Sequence, residues 1–189
     1  MSQTAVYDAC VLYPASLRSF LMWLGVHELV RPRWSEQILD ECFDNLLENR
    51  PDLDSAALAR TRTLMSEAIP DSLVTGFECR IDNLSLPDPD DVHVLAAAIE
   101  VDADRIVTFN LDDFPTDQLE PFGLEAVHPD DFVHPLIDTS PRRVLLCLRD
   151  EAAIRKNPDR SIHDVLDSLR DRGLRKSSDT MRELVEGTS

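Results

Sequence analysis

Asp8 stands alone between two apolar runs, Ala5-Val6-Tyr7 before it and Ala9-Cys10-Val11-Leu12-Tyr13 after it, and Pro14 closes the stretch. Such a run reads as a strand buried on both faces of a parallel sheet, with one acid at its C-terminal end. A carboxylate in that setting is costly unless it is paired or bound to a metal, so Asp8 points to chemistry rather than solubility.

The rest of the first two thirds alternates helical and strand patterns. Leu17, Phe20, Leu21 and Leu24 recur at helical spacing from Ala15 to Leu29, with Gly25 expected at the helix end. A second helix is expected from Ser35 to Glu48: Ser35 is the N-cap, Ile38, Leu39, Phe43, Leu46 and Leu47 form the apolar face, and Pro51 stops it. Asp54 to Ala68 reads as a third, with Leu58, Leu64 and Met65 facing inward. A strand is expected near Phe77 to Ile81, a turn at Leu86-Pro-Asp-Pro-Asp-Asp, and an alanine-rich helix from Val92 to Val101. Arg105 to Phe109 and Leu124 to Val127 read as two further strands. Strands alternating with helices predict an α/β fold with a parallel sheet wrapped on both faces.

After His134 the pattern becomes helical throughout. Ser140-Pro141 starts one helix, which Val144, Leu145, Leu148 and Ile154 continue until Pro158. Ser161 precedes a second, with Ile162, Val165, Leu166 and Leu169 inward and Gly173 closing it, and a short one is expected from Thr180 to Glu186. The expected organisation is therefore an α/β domain over residues 1–134 and a helical C-terminal extension over 135–189. A chain of 189 residues, 43% hydrophobic, has room for one full core and such an appendage, but not for a two-lobed enzyme.

Charge is distributed unevenly. Residues 1–134 hold 26 Asp and Glu against 8 Arg and no Lys, whereas residues 135–189 hold 10 acids against 11 bases. Phosphate binding relies on clustered Lys and Arg, so the first segment repels polyanions. A nucleic-acid substrate would need metal ions, or basic residues of the tail such as Arg142, Arg143, Arg149, Arg155 and Lys156, to offset that repulsion. The N-terminus has no basic and apolar leader pattern and no apolar run reaches membrane-spanning length, so the expectation is a soluble, cytoplasmic protein with no membrane partner. Cys10, Cys42, Cys79 and Cys147 are widely spaced and read as buried free thiols.

Ligands of open parallel sheets gather at the C-terminal ends of the strands. Asp8 ends the first strand; Asn110, Asp112 and Asp113 follow the strand from Arg105; Asp90 and Asp91 open the alanine-rich helix; and Glu41 lies on the second helix. Acids distant in sequence thus share one rim, where carboxylates raise one another's pKa and a hard divalent cation would relieve the repulsion. Each also has a plain structural reading. Asp90 and Asp91 suit a helix N-terminus, Glu41 a solvated helix face, and Asp112 and Asp113 a turn before Pro115. His93 is expected on the face of its helix away from Asp91, as a surface or packing residue, and no histidine-based metal centre is indicated.

Four segments, in order, carry a family resemblance: D-A-C-V-L-Y-P from Asp8, W-S-E-Q-I-L-D-E ending at Glu41, D-P-D-D-V-H-V-L-A-A-A with Asp91, and T-F-N-L-D-D-F-P with Asn110 and Asp113. Together they resemble the PIN-domain ribonucleases over roughly residues 4–134. The resemblance implies a three-layer α/β/α fold around a parallel sheet of about five strands, and an endoribonuclease site dependent on Mg2+ or Mn2+. It would make Asp8, Glu41, Asp91 and Asp113 the catalytic metal ligands. Thr108 and Asn110 would be the supporting polar residues, with Asp90 and Asp112 beside two of the ligands. Position 10 departs from the family, holding Cys where Asn, Ser or Thr is usual.

Many relatives are toxins of VapBC-type toxin-antitoxin pairs, and the helical tail is similar to that of one subgroup. The resemblance therefore also implies an RNA substrate (tRNA, rRNA or mRNA), a cognate antitoxin and a homodimer. Two other readings use the same acids. A phosphoacceptor signalling domain needs a lysine at a late strand end, but Lys156 and Lys176 both lie in the tail. A non-catalytic module would use the acidic rim only to hold a basic partner peptide.

Overall fold

The structure, a computed structural model, describes residues 2–154 and 160–187. Arg155, Lys156 and Pro158 of the expected tail features lie outside the described residues. The first apolar run forms strand β1 (Gln3–Tyr7), but the second, beyond Asp8, forms a single helical turn, α1 (Ala9–Leu12). Asp8 is the N-cap of that turn, so it marks a strand-to-helix junction instead of sitting within one long strand. Helix α2 (Ala15–Val26) follows, then strand β2 (Val30–Ser35), helix α3 (Glu36–Asn49), helix α4 (Ser55–Ala68) and the two-residue strand β3 (Leu73–Val74). Helix α5 (Glu78–Ile81), helix α6 (Val92–Glu100), strand β4 (Arg105–Val107), helix α7 (Thr116–Leu119) and strand β5 (Glu125–Val127) complete the α/β part. Helices α8 (Pro129–Thr139), α9 (Pro141–Ile154), α10 (Ile162–Asp171) and α11 (Arg175–Gly187) make the C-terminal part, and α8 runs unbroken through position 134.

The five strands form one parallel sheet in the order β3-β2-β1-β4-β5. The chain builds outward from β1 to β3 on one side, then returns to place β4 and β5 on the other. The order reverses between β1 and β4, and such a reversal opens a crevice at the C-terminal strand ends. The Ala5↔Arg105, Val6↔Ile106 and Tyr7↔Val107 register sets Asp8 level with Thr108 at that crevice. Helix α6 packs against β1, β2 and β4, and the absence of large side chains at Ala96, Ala97 and Ala98, all fully buried, lets it lie close to the sheet.

Strand β2 escaped the sequence reading because Val30-Arg-Pro-Arg-Trp-Ser carries two arginines and a proline. It nevertheless pairs with β1 over Val30 to Arg33 and buries Trp34 completely. Its other neighbour, β3, reaches only Trp34 and Ser35, so Pro32 lies where that edge is open and a missing N–H is tolerated. The segment Phe77 to Ile81, expected as a strand, is the helical turn α5, and the actual third strand lies just before it.

Gly25 sits inside the last turn of α2 rather than after it. A Cβ there would come within 2.6 Å of Ile69 Cδ1 and 2.7 Å of Pro32 Cγ, so close packing of α2 on its neighbours requires glycine. Leu64, expected inward, is 51% exposed. Helix α11 begins well before the expected Thr180. All four cysteines are free; Cys42 and Cys147 are buried as expected, Cys10 is half-buried and Cys79 is exposed. Among the described residues no helix is long and apolar enough to cross a membrane.

Candidate active site

The site is built around Asp8, only 2% exposed at the end of β1. Its backbone N–H continues the parallel ladder by donating to Val107 O at 3.1 Å, which fixes the carboxylate beside the end of β4. Thr108 Oγ1 donates to Asp8 Oδ2 at 2.6 Å, and the Cys10 thiol donates to the same oxygen at 3.0 Å. Thr108 is itself held by the Asn110 N–H, which donates to its hydroxyl at 2.9 Å, and Cys10 Sγ accepts from the Phe109 N–H at 3.2 Å. Cys10 thus supplies a second side-chain donor to the buried acid. Burial holds the Asp8 carboxyl above the usual range; the Thr108 and Cys10 bonds oppose that shift and nearby Glu41 adds to it. Burial, followed by the charge of Asp8, raises the Cys10 thiol to about 12, so it remains a neutral donor.

Asp91 ends a 3-10 turn (Pro89–Asp91) that leads into α6, and it is 9% exposed. Burial first, then the charges of Asp8, Asp113, Asp88 and Glu41, push its pKa up to about 7. That coupling identifies the acids brought to one rim. Asp8 comes from β1, Glu41 from α3, Asp91 from the start of α6, and Asp113 from a 3-10 turn (Leu111–Asp113) after β4. Asp88 joins them, although the sequence reading did not single it out. Asp90 and Asp112 are exposed.

Oxygen-rich, mutually repelling carboxylates are the donor set that a hard divalent cation takes, and no described Lys or Arg is ion-paired with Asp8, Glu41, Asp91 or Asp113. Among the described residues, no group of three or more His, Cys, Asp or Glu side chains is close-set enough to enclose a metal ion as it stands.

The profile of the PIN domain family matches residues 4–112, more than half of the chain and the whole run from β1 into the turn after β4. The chain belongs to the PIN domain family. A second profile, the VapC50 C-terminal domain, matches residues 129–183, which begin at the first residue of α8 and extend into α11. The curated protein named "Putative ribonuclease VapC50" from Mycobacterium tuberculosis (strain ATCC 25618 / H37Rv) is 36% identical over 110 residues. The match covers 55% of this chain and 63% of that relative, so less than two thirds of the relative's length is spanned. No solved structure matches the chain.

This PIN domain also places His93 at the site. Its side chain is 4% exposed, and Nε2 lies 3.4 Å from Glu41 Oε2, while Nδ1 is buried with no hydrogen-bond partner among the described residues. His93 is buried, as a packing residue is expected to be, and its contact at the site is with Glu41 on α3. The signal for His93 was its place in a helix that is otherwise apolar and small.

Beside Glu41 the PIN domain opens a cavity of about 350 Å3 whose lining includes Cys10, Tyr13, Asn45 and Asn110. Larger concavities lie elsewhere. One of about 760 Å3 sits at the opposite, N-terminal strand ends around Gln3, Arg105 and Arg143, remote from the acids. Another, of about 380 Å3, lies between α2, α4 and α9.

Proposed function

We propose that this PIN domain is a divalent-metal-dependent endoribonuclease that hydrolyses RNA phosphodiester bonds, and that it acts as the toxin of a toxin-antitoxin pair. The observation that carries the reading is the burial of Asp8 and Asp91 at the C-terminal strand ends with no described Lys or Arg paired to either. The upward push on the Asp91 carboxyl by burial and by Asp8, Asp113, Asp88 and Glu41 agrees with it. Structural acids are seldom gathered this way without a cation, because each raises the charging cost of the others. In this reading Asp8, Glu41, Asp91 and Asp113 hold one or two Mg2+ or Mn2+ ions. A bound ion would activate a water and stabilise the leaving oxygen of the phosphodiester. Thr108 and Cys10 keep Asp8 oriented and charged, Asn110 steadies Thr108 through its N–H, and the crevice between β1 and β4 admits the RNA strand.

Residues 1–134 carry the chemistry in this proposal and 135–189 form the extension. The relative's name favours RNA over DNA, with tRNA, rRNA or mRNA as the class of substrate in the cytoplasm. A cognate antitoxin with an arginine would enter the same acidic rim by charge-assisted pairing, and the active form is a homodimer. The test is a Mg2+-titrated cleavage assay on total tRNA and rRNA with the wild type, Asp8→Asn and Asp91→Asn. Metal-dependent cutting by the wild type alone is expected; equal cutting by both folded variants would remove the proposal.

A further inference from the structure

We propose that the cavity of about 350 Å3 beside Glu41 seats one unpaired RNA base next to the bond to be cut, with Asn45 and Asn49 reading its edge and Tyr13 stacking on its ring. The inference rests on the nuclease reading and adds what that site selects. Position argues first. Glu41 and Cys10 line the cavity, and the Cys10 thiol is bonded to Asp8, so whatever fills it lies against the acid rim.

Charge argues next. The lining holds one carboxylate, Glu41, and no Lys or Arg, which disfavours a phosphate and favours an uncharged ring with hydrogen-bonding edges. Glu41, Asn45 and Asn49 recur every fourth residue on α3 and therefore form one stripe along its surface. Among the described residues the side-chain amides of Asn45 and Asn110 make no hydrogen bond. Asn49 Nδ2 donates to Asn45 O at 2.8 Å, which leaves the Asn49 carbonyl oxygen as an oriented acceptor. Amides present a donor and an acceptor side by side, the pattern that base edges answer. Tyr13, half-buried, supplies the aromatic surface on which unstacked bases rest in single-strand recognition. The volume lies at the low end of the roughly 300 to 1,000 Å3 of small-ligand sites, enough for one base and too little for a duplex.

Two measurements on the full chain test this. The first sequences the cut sites in a randomised single-stranded RNA octamer pool with Mn2+. The second records contact with the four free nucleosides by saturation-transfer NMR, which needs neither metal nor cleavage. The variants are Asn45→Ala/Asn49→Ala, on an exposed helix face where alanine favours the fold, with Tyr13→Ala and Tyr13→Phe as a pair. A base preference beside the cut is expected in the wild type, reduced about tenfold in the double Asn variant. Tyr13→Ala raises KM and Tyr13→Phe restores it, and nucleoside contact is lost in the Asn variant. An unaltered preference in that variant, or none in the wild type, overturns the base seat while leaving the nuclease standing. Nucleoside contact that depends on the asparagines in a protein that cuts nothing supports the seat and removes the nuclease. Neither contact nor cutting removes both.

Discussion

Thr108 Oγ1 donates to Asp8 Oδ2 at 2.6 Å although a hundred residues separate them, because the β1–β4 register makes them neighbours one step beyond Tyr7 and Val107. Hydrogen bonds to a charged group contribute about 1.5 to 3 kcal/mol. Thr108→Val keeps the shape and removes the donor, so the folded state is expected to lose about 2 kcal/mol at neutral pH by urea denaturation. Thr108→Ser keeps the hydroxyl and recovers most of the loss. Equal stability of the Val variant and the wild type would mean that the Cys10 thiol alone satisfies Asp8.

Asp91 is the acid most burdened by its neighbours. Replacing it with Asn removes one charge from the set formed with Asp8, Asp113, Asp88 and Glu41. In EDTA the Asp91→Asn protein should therefore melt at a higher temperature than the wild type. A ligand that binds only the folded state stabilises it by mass action, so MnCl2 should raise the melting temperature of the wild type and move that of the variant little. A variant less stable than the wild type in EDTA would indicate that Asp91 serves packing rather than ion binding.

What the sequence disclosed and what it hid divide along physical lines. Helices α3 and α6 were legible because their apolar residues repeat on one face and a cap or turn opens each, as Ser35 does by accepting the Ile38 N–H. Strand β2 was hidden because its alternation is written in Arg31, Pro32 and Arg33, whose tolerance depends on an open edge no local pattern reports. Asp8 and Asp91 stood out in the sequence as acids beside apolar runs, one at a strand end and one at a helix start. Asp88 and His93 did not: Asp88 reads locally as part of a turn, and His93 meets Glu41 only because the fold brings α6 beside that residue of α3. The role of Gly25 was hidden for a similar reason: the helix it packs is local, but Pro32 and Ile69, which it must admit, are not.

Within the C-terminal part, α8 is tied to α11 by a titratable contact. Asp130 on α8 accepts from the N–H groups of Lys176 and Ser177, each at 2.9 Å, and from the Ser177 hydroxyl at 2.6 Å, at the start of α11. Burial works to raise its pKa, but these bonds outweigh it and hold the carboxyl below its ordinary 3.8. The folded protein thus binds that proton less readily than the unfolded chain does. The resulting stability is present above the unfolded pKa and lost as pH falls through the lower folded one. Asp130→Asn should lower the urea midpoint at neutral pH and flatten its decline between about pH 5 and pH 3. Parallel declines in both proteins would assign the acid sensitivity to other carboxylates.

Gly173 connects the tail to the site through a single ring. It follows α10 at φ +103°, and a Cβ there would stand 2.9 Å from Phe109 Cε1. Phe109 in turn packs edge-on against His128, with ring centroids 5.2 Å apart, and its N–H donates to the Cys10 sulfur whose thiol reaches Asp8. Gly173→Ala imposes a left-handed backbone on a residue with a Cβ and also displaces the ring, so a loss above about 1 kcal/mol is expected. Gly123 separates the two effects, since it also has positive φ, +69°, but a Cβ there meets nothing within 4 Å. Gly123→Ala should therefore lose stability through backbone strain alone and keep the full Mn2+-induced rise in melting temperature. Gly173→Ala should lose more stability and show a smaller rise, because shifting Phe109 disturbs the donor that orients Asp8. An undiminished Mn2+ response in Gly173→Ala would show that the ring moves without carrying Cys10 with it.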